Sequence, residues 1–525
     1  MAKILFTDKL MPECKSRLEA EGHEVDVDKD ITQEEFEKKL LDYEGFVVRS
    51  KTKLTRELIE RGVGTHLFYG RKGVGVDNIQ DIEYALANGI AVANTPFSST
   101  TSVKEHVFAF MLAAAKRLAE YDASMKRGEW LKGKLPAYEM HGKTLGVFGL
   151  GRIGRSVAQT AVNGFGMNII YSDPFVDDPG IEGVVRVSEQ DLFANSDFLT
   201  MHVGLNAETK GVVTDDMLHR MKKRCVLINT SRYQLFGGDL SDFLRESKDR
   251  VLCLDVFEKE PPQEVPFSEF GYQTILTPHS CASTPEAQMM SDLRITEEII
   301  DYFKLGVCEH LWPLGSLPPN MYKLLRLTAQ MGKVGSRFLD EYASQIELTA
   351  YKQLNQFADR FLRFASLGVL RDINPDVNYL TLDSLFSGLD LVARTPDNTK
   401  PYSNTVTVDV VSPEGNRVSI RGCLNEASEP RIRRIKLYEV DITPEGHHTF
   451  CEYDCTAGPL KAISTVTTKH GINVTELGSA TNPETGRELG CFRTAQPLTK
   501  GVLIDIKKSF ETDGLSLYAM KHISF

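Results

Sequence analysis

The sequence predicts an α/β protein: two doubly wound parallel-sheet domains, then an α+β domain and a small antiparallel unit. Three observations carry that expectation. Short apolar runs alternate with helical stretches from Lys3 to about residue 289, and a Gly-x-Gly-x-x-Gly turn follows one of those runs. A Pro- and Gly-rich stretch from His310 to Asn320 then separates this pattern from strands of alternating polarity. A chain of 525 residues exceeds one core, and the usual domain size of roughly 100 to 200 residues asks for three or four.

Between Lys3 and Pro96 the apolar runs are Ile4–Phe6, Val25–Val27, Phe46–Val48, Leu67–Tyr69 and Ile90–Ala93, with helical stretches between them. Uninterrupted apolar runs of this length suit strands buried on both faces, so residues 1–95 read as one doubly wound domain. Thr101 to Leu118 places Val103, His106, Val107, Phe110 and Met111 on one side and reads as a long helix leaving this domain for the next.

The next domain, residues 96–289, is organised around Thr144 to Asp173. Leu145 to Phe148 suits a buried strand, Gly149, Gly151 and Gly154 follow it, and Ile153, Val157 and Ala161 recur at helical spacing until Asn163, Gly164 and Gly166 stop the helix. A second apolar run, Met167 to Tyr171, delivers Asp173 about twenty residues after the glycines. The first glycine permits a tight turn, the second lets a pyrophosphate approach the backbone, and the third lets helix and strand pack closely. A carboxylate at Asp173 accepts both ribose hydroxyls of NAD and repels the extra phosphate of NADP, so NAD is the expected cofactor.

Further strands are expected at Phe198–His202, Cys225–Asn229, Val251–Asp255 and Thr274–Leu276, and a helix from Leu293 to Phe303 that returns to the first domain, completing it with residues 290–315. Beyond the linker, residues 316–445 read as α+β. Helices are expected over Met321–Asp340 and Asp383–Leu391, and strands over Thr405–Val411, Asn416–Gly422 and Arg431–Asp441. Residues 446–525 offer strands at His448–Tyr453, Val474–Ser479, Glu488–Thr494 and Leu515–His522, with helices at Pro459–His470 and Gly501–Glu511. That βαββαβ order implies a small antiparallel sheet with helices on one face.

A net charge of -11 argues against a nucleic-acid partner, since nothing in the balance would release counterions from a phosphate backbone. An anionic ligand then needs a local basic pocket. Nine scattered cysteines lack metal-site spacing, so no metal is expected and reduced thiols in the cytoplasm are. No apolar run reaches membrane-spanning length, and the opening residues break at Asp8 without a signal-peptide core.

Arg232, Glu260 and His279 stand at or beyond expected strand ends, where open α/β sheets bind ligands. A hydride transfer to NAD needs a base for the hydroxyl proton, a charged partner to tune that base, and a cation for the substrate's carboxylate and carbonyl oxygen. His279, Glu260 and Arg232 supply those groups; a nearby carboxylate raises a histidine pKa, and the arginine fork matches a carboxylate. Taken singly, each also suits a surface ion pair or a satisfied loop residue.

Together with Gly-Val-Gly-Val-Asp-Asn at 73–78, Asn94-Thr-Pro96, Gly-Leu-Gly-Arg-Ile-Gly at 149–154, Asp-Val-Phe before Glu260-Pro-Pro, and Pro-His279-Ser-Cys-Ala-Ser-Thr, these residues make a recognisable set. The chain resembles the D-isomer-specific 2-hydroxy-acid dehydrogenases and, within them, the long-form D-3-phosphoglycerate dehydrogenases. The resemblance implies a flavodoxin-like substrate domain, a Rossmann cofactor domain, an intervening allosteric substrate-binding domain and a ferredoxin-like ACT domain. It implies NAD-dependent oxidation of 3-phospho-D-glycerate to 3-phosphohydroxypyruvate, the first step of L-serine biosynthesis, with Arg232, Glu260 and His279 as catalytic residues. Gly149, Gly151, Arg152, Ile153, Gly154, Asp173, Ser231 and Asp255 would bind the cofactor. Arg49, Ser50, Arg71, Gly73 and Lys132 would face a phosphorylated 2-hydroxy acid, while Lys51 and Lys72 read as solvated charge. Asn473 and Tyr453 would face an amino-acid effector, and Arg431, Arg433 and Arg434 suit either an anion site or a solvated strand face. A homodimer or homotetramer is the family habit.

The pattern breaks after the catalytic arginine, where Tyr233 and Gln234 replace two usual glycines. If that backbone needs positive φ, a tyrosine costs roughly 1 to 2 kcal/mol and adds bulk beside the expected nicotinamide. The alternatives to be separated are therefore a related dehydrogenase with an altered substrate and a silent NAD-binding paralogue. Ser99, Gly204 and Lys104 depart from family habit as well, and the turn at Tyr453–Gly458 lacks its usual Asn or Asp and its proline.

Overall fold

The computed structural model describes residues 1–49, 51–135, 137–315, 317–318, 320–382, 388–394 and 405–525. Its first sheet contains β1 (Lys3–Phe6), β2 (Glu24–Val27), β3 (Gly45–Val48), β4 (Phe68–Arg71) and β5 (Ala91–Asn94), in the order β2-β1-β3-β4-β5 with every pair parallel. This is the flavodoxin-like order. Every residue of β3 and β5 is buried, as helices on both faces of a parallel sheet require. Arg49 and Arg71 thus emerge at neighbouring carboxyl ends.

The second sheet holds β6 (Thr144–Phe148), β7 (Asn168–Ser172), β8 (Val184–Arg186), β9 (Phe198–Met201), β10 (Val226–Asn229), β11 (Val251–Leu254) and β12 (Thr274–Leu276). Its order is β12-β11-β10-β9-β6-β7-β8, all parallel, so the chain reverses direction across the sheet between β6 and β9. That is the Rossmann switch point, the crevice where such sheets take a dinucleotide. The helix Thr100–Lys116 joins this core: Val107, Phe110 and Met111 pack with Leu145, Val147 and Val157. The three-residue edge strand β8 has no counterpart in the apolar runs read from the sequence.

The return helix spans Pro285–Leu305 and begins earlier than Leu293, because Thr284 accepts the Ala287 N–H and Pro285 pre-sets the first turn. Ile295, Ile299 and Tyr302 bury against Ile4, Phe6, Val47 and Phe68 of the first domain.

A third, mixed sheet is ordered β14-β13-β15-β16-β17-β18, from β13 (Gln345–Ala350), β14 (Asp390–Arg394), β15 (Thr405–Val411), β16 (Arg417–Leu424), β17 (Pro430–Ile435) and β18 (Tyr438–Ile442). Only β13 and β14 pair in parallel. Helices Met321–Leu339 and Ala358–Ile373 pack together through glycine: a Cβ on Gly368 would lie 1.8 Å from the carbonyl oxygen of Ala329. Two expectations need correction. Of the helix expected over Asp383–Leu391, residues 383–387 lie outside the described set and Asp390–Arg394 is β14. The single strand expected over Arg431–Asp441 is a hairpin, turned at Lys436 with φ 52°.

The last sheet, β20-β21-β19-β22, joins β19 (His447–Asp454), β20 (Val474–Thr481), β21 (Arg487–Thr494) and β22 (Leu517–Ser524), all antiparallel. With helices Pro459–Lys469 and Lys500–Thr512 it is ferredoxin-like. Its other face docks on the third domain, where Phe450 meets Phe338 at 5.4 Å between ring centroids.

Candidate active site

Gly149 sits at φ +91°, and a Cβ there would fall 2.9 Å from the His202 carbonyl carbon. Gly154 packs closer still, its notional Cβ 2.1 Å from the Gly149 carbonyl oxygen, whereas a Cβ on Gly151 would meet nothing within 4 Å. Turn, open approach and tight packing therefore fall on the three glycines in the order the spacing predicts. Gly151 caps the helix Arg152–Phe165, and a helix N-terminus offers its free N–H groups to an anion. Asp173 follows β7 and accepts the N–H of Leu150 on Oδ2 and of Phe175 on Oδ1, each at 2.8 Å, leaving lone pairs for ribose hydroxyls. The turn fits a dinucleotide. Ile153 lines the cleft, and the Arg152 guanidinium stacks on Phe97 beyond β5, 4.2 Å from its centroid.

Between the two parallel sheets lies a cavity of about 660 Å³ that brings Arg232, Glu260 and His279 together with Arg49, Arg71 and Gly73. The first three follow β10, β11 and β12, neighbouring strands of one sheet. His279 Nδ1 and Glu260 Oε2 are 2.6 Å apart, and Glu260 Oε1 accepts the Phe257 N–H at 3.0 Å. Burial pushes the Glu260 carboxyl up, but its bonds to His279 and Phe257 outweigh that and hold it below the usual range. His279 has φ 50°. Asp255 anchors that loop: it is fully buried, Oδ1 accepts the Thr277 hydroxyl at 2.5 Å and the Ser280 N–H at 2.8 Å, and Oδ2 accepts the Cys281 N–H at 2.9 Å.

The opposite wall is cationic. Arg49 donates to Asp8 at 2.9 Å and to Gln288 at 2.8 Å, while Arg71 donates through Nε to Asn78 at 2.9 Å and also to the Lys72 carbonyl. Burial, then the charges of Arg232 and Arg49, lower the Arg71 pKa to about 10. Burial also raises the Asp8 carboxyl, but Lys72 and Arg49 outweigh it and bring the pKa below the ordinary value. Lys72 is not solvated charge as expected: it is 3 % exposed and pairs with Asp292 at 2.6 Å and Asp8 at 3.3 Å. Lys51 is exposed at the cleft. Asp8, Asp77, Gln288 and Asp292 were not singled out in the sequence. Only Asp77 carried a signal, its place in the Gly73–Asn78 motif.

Not every other expected residue lines the cleft. Asp255 turns its carboxylate into the His279 loop. Ser231 lines the cleft, but its hydroxyl donates to the Met201 carbonyl at 3.0 Å. Lys132 is exposed on the surface segment after the helix Leu118–Lys126 and does not line the cleft. Ser50 lies outside the described residues. Tyr453 is 2 % exposed, in the core with Phe492 and Phe510, while Asn473 is exposed before β20. Arg431 and Arg433 both pair with Asp441, at 2.6 and 2.7 Å.

Tyr233 and Gln234 carry no strain. Tyr233–Leu235 is a turn of 3₁₀ helix, and neither residue is among those at positive φ. The Tyr233 ring packs on Phe236 at 5.9 Å, away from the cleft lining. Burial, with Glu258 and Asp239 nearby, pushes its hydroxyl pKa up.

A Rossmann sheet facing a flavodoxin-like sheet across a His–Glu–Arg cleft defines a D-isomer-specific 2-hydroxyacid dehydrogenase; the family described as D-isomer specific 2-hydroxyacid dehydrogenase, NAD binding domain, matches residues 108–281. D-3-phosphoglycerate dehydrogenase of Methanocaldococcus jannaschii is 33% identical over 490 residues, 91% of this chain and 92% of that one. Its namesake in Archaeoglobus fulgidus is 31% identical over 521 residues, 96% of this chain and 98% of that one. The chain belongs to the D-3-phosphoglycerate dehydrogenase family. Among solved structures, NAD-bound 3-phosphoglycerate dehydrogenase of Entamoeba histolytica matches with a TM-score of 0.50 and 27% identity, over 59% of this chain and 98% of that one. Among the described residues no helix is long and apolar enough to cross a membrane.

Proposed function

We propose that the chain oxidises the C2 hydroxyl of 3-phospho-D-glycerate to 3-phosphohydroxypyruvate with NAD, the first step of L-serine biosynthesis. The observation that carries this is the 2.6 Å His279–Glu260 contact in a cleft shared with Arg232 and the half-buried Arg49–Arg71 wall. With Nδ1–H donating to the carboxylate, Nε2 is the basic nitrogen of His279 and takes the hydroxyl proton. Glu260 stays ionised at neutrality and stabilises the imidazolium that forms. Arg232 holds the substrate carboxylate and the developing carbonyl oxygen, while Arg49 and Arg71 hold the phosphate. When bound, NAD supplies the hydride acceptor, and Gly149, Gly151, Gly154 and Asp173 hold it.

The domain assignment belongs to the same reading: residues 1–95 with 290–315 bind substrate, 96–289 bind NAD, and 316–445 and 446–525 regulate. A homodimer or homotetramer answering an amino-acid or anionic effector is the associated proposal, with exposed Asn473 as the residue available to that effector. Nine unpaired thiols suit a cytoplasmic setting.

A substrate panel followed by NADH absorbance tests the reading. Turnover of 3-phospho-D-glycerate in preference to D-glycerate and D-lactate is expected. Preference for an unphosphorylated acid, or NAD binding without turnover, contradicts it.

A further inference from the structure

Asp77 stands on the loop after β4 and Arg232 on the loop after β10, so their contact crosses the cleft between the two parallel sheets. Nε and Nη2 of Arg232 both donate to Asp77 Oδ2, at 2.9 and 2.6 Å, and Nη1 donates to the Ser231 carbonyl at 2.8 Å. The two bonds to Asp77 occupy the side-on edge of the guanidinium, Nε with Nη2. One N–H remains on each terminal nitrogen for a carboxylate.

The contact has shaped its surroundings. A Cβ on Gly75 would fall 1.8 Å from Arg232 Nη2, so the guanidinium lies directly across the loop backbone. The loop is itself pinned: Asn78 donates to the carbonyls of Arg49 at 3.2 Å and Thr52 at 3.0 Å, and Asn94 donates to that of Val74 at 2.7 Å. Asp77 also faces the mutually repelling charges of Arg232 and Arg71, and its carboxylate opposes that repulsion.

We propose that Asp77 is the positioning residue of Arg232: it holds the side-on edge of the guanidinium when the two sheets close, and so aims the end-on edge at the carboxylate of a bound 2-hydroxy acid. Closure and substrate recognition then become one event, because the arginine on one sheet is aligned only by the acid on the other. Asp77 remains in place while substrate binds. This rests on reading the cleft as a 2-hydroxy-acid dehydrogenase site.

In the full-length protein, Asp77→Asn is expected to raise the KM for 3-phospho-D-glycerate about tenfold or more while NAD affinity is unchanged. Asp77→Glu should recover part of the loss. Hydrogen–deuterium exchange gives an arm independent of turnover: Arg232→Gln, made on the other sheet, should speed exchange in the Gly73–Asn78 loop as much as Asp77→Asn does. Wild-type kinetics in Asp77→Asn, a KM that falls, or a loop indifferent to Arg232→Gln overturns the proposal. A wild-type protein that turns over no 2-hydroxy acid overturns the reading of the cleft instead, and the exchange arm then decides for or against Asp77.

Discussion

In the cofactor-domain turn, Gly149, Gly151 and Gly154 present a surface nearly without side chains, whereas the cavity beside it is lined by the long charged side chains of Arg49 and Arg71 from one sheet and Arg232 from the other. On the cofactor side, recognition depends on what is absent: a Cβ at 149 or 154 would strike backbone, and backbone has nowhere to go. On the substrate side it depends on counter-charges, with Asp8, Asp77 and Asp292 opposing cations that otherwise repel one another. The first wall is written in one short stretch of chain. The second is drawn from positions between 8 and 292 and exists only after the return helix has packed.

The largest expected effect lies on the glycine wall. Gly154→Val drives a branched side chain into the Gly149 carbonyl, and should cost the cofactor domain on the order of 3 kcal/mol or more and abolish NAD binding, as calorimetry would show. Gly151→Val is its control, since its Cβ meets no protein atom; the fold should survive and NAD affinity alone fall. Equal melting temperatures for the two variants would break the comparison.

Next comes the arginine wall. Arg71→Ala removes a charge-assisted contact to the proposed phosphate, and should raise the KM for 3-phospho-D-glycerate by about 10- to 100-fold while sparing NAD affinity. An equal loss with D-glycerate would assign Arg71 to stability rather than to the phosphate.

The smallest effect concerns His202, whose backbone lies against Gly149. Burial lowers its pKa from 6.5 to about 3, so the folded form keeps the ring neutral where the unfolded chain takes up a proton. Its contribution is present above pH 6.5 and is lost progressively as pH falls toward about 3. His202→Asn should therefore melt with a shallower loss of stability on acidification than the wild type; parallel pH slopes would contradict it.

The same contrast governs how much was legible in the sequence. The span from Leu145 to Asp173 could be read because turn, helix start and strand end are local and each leaves a residue type at fixed spacing. The strands and helices of the last unit could be read for the same reason, their alternation and caps being local. The ion pairs of Lys72 with Asp8 and Asp292 could not, because they join positions 64 and 220 residues apart. Lys72 beside Arg71 looks like solvated charge until two acids from elsewhere bury it. The loop-anchoring bonds of Asp255 could not be read either, because the N–H groups of Ser280 and Cys281 that it accepts from lie 25 and 26 residues further along the chain. Tyr233 looked obstructive because its side-chain direction depends on a 3₁₀ turn that no spacing announces.

His279→Ala, assayed for turnover of 3-phospho-D-glycerate alongside NAD affinity by calorimetry, tests the central claim most directly. With the base removed and both walls intact, kcat should fall by about 10² to 10⁴ while NAD binds as before. Wild-type turnover by that variant would contradict the account.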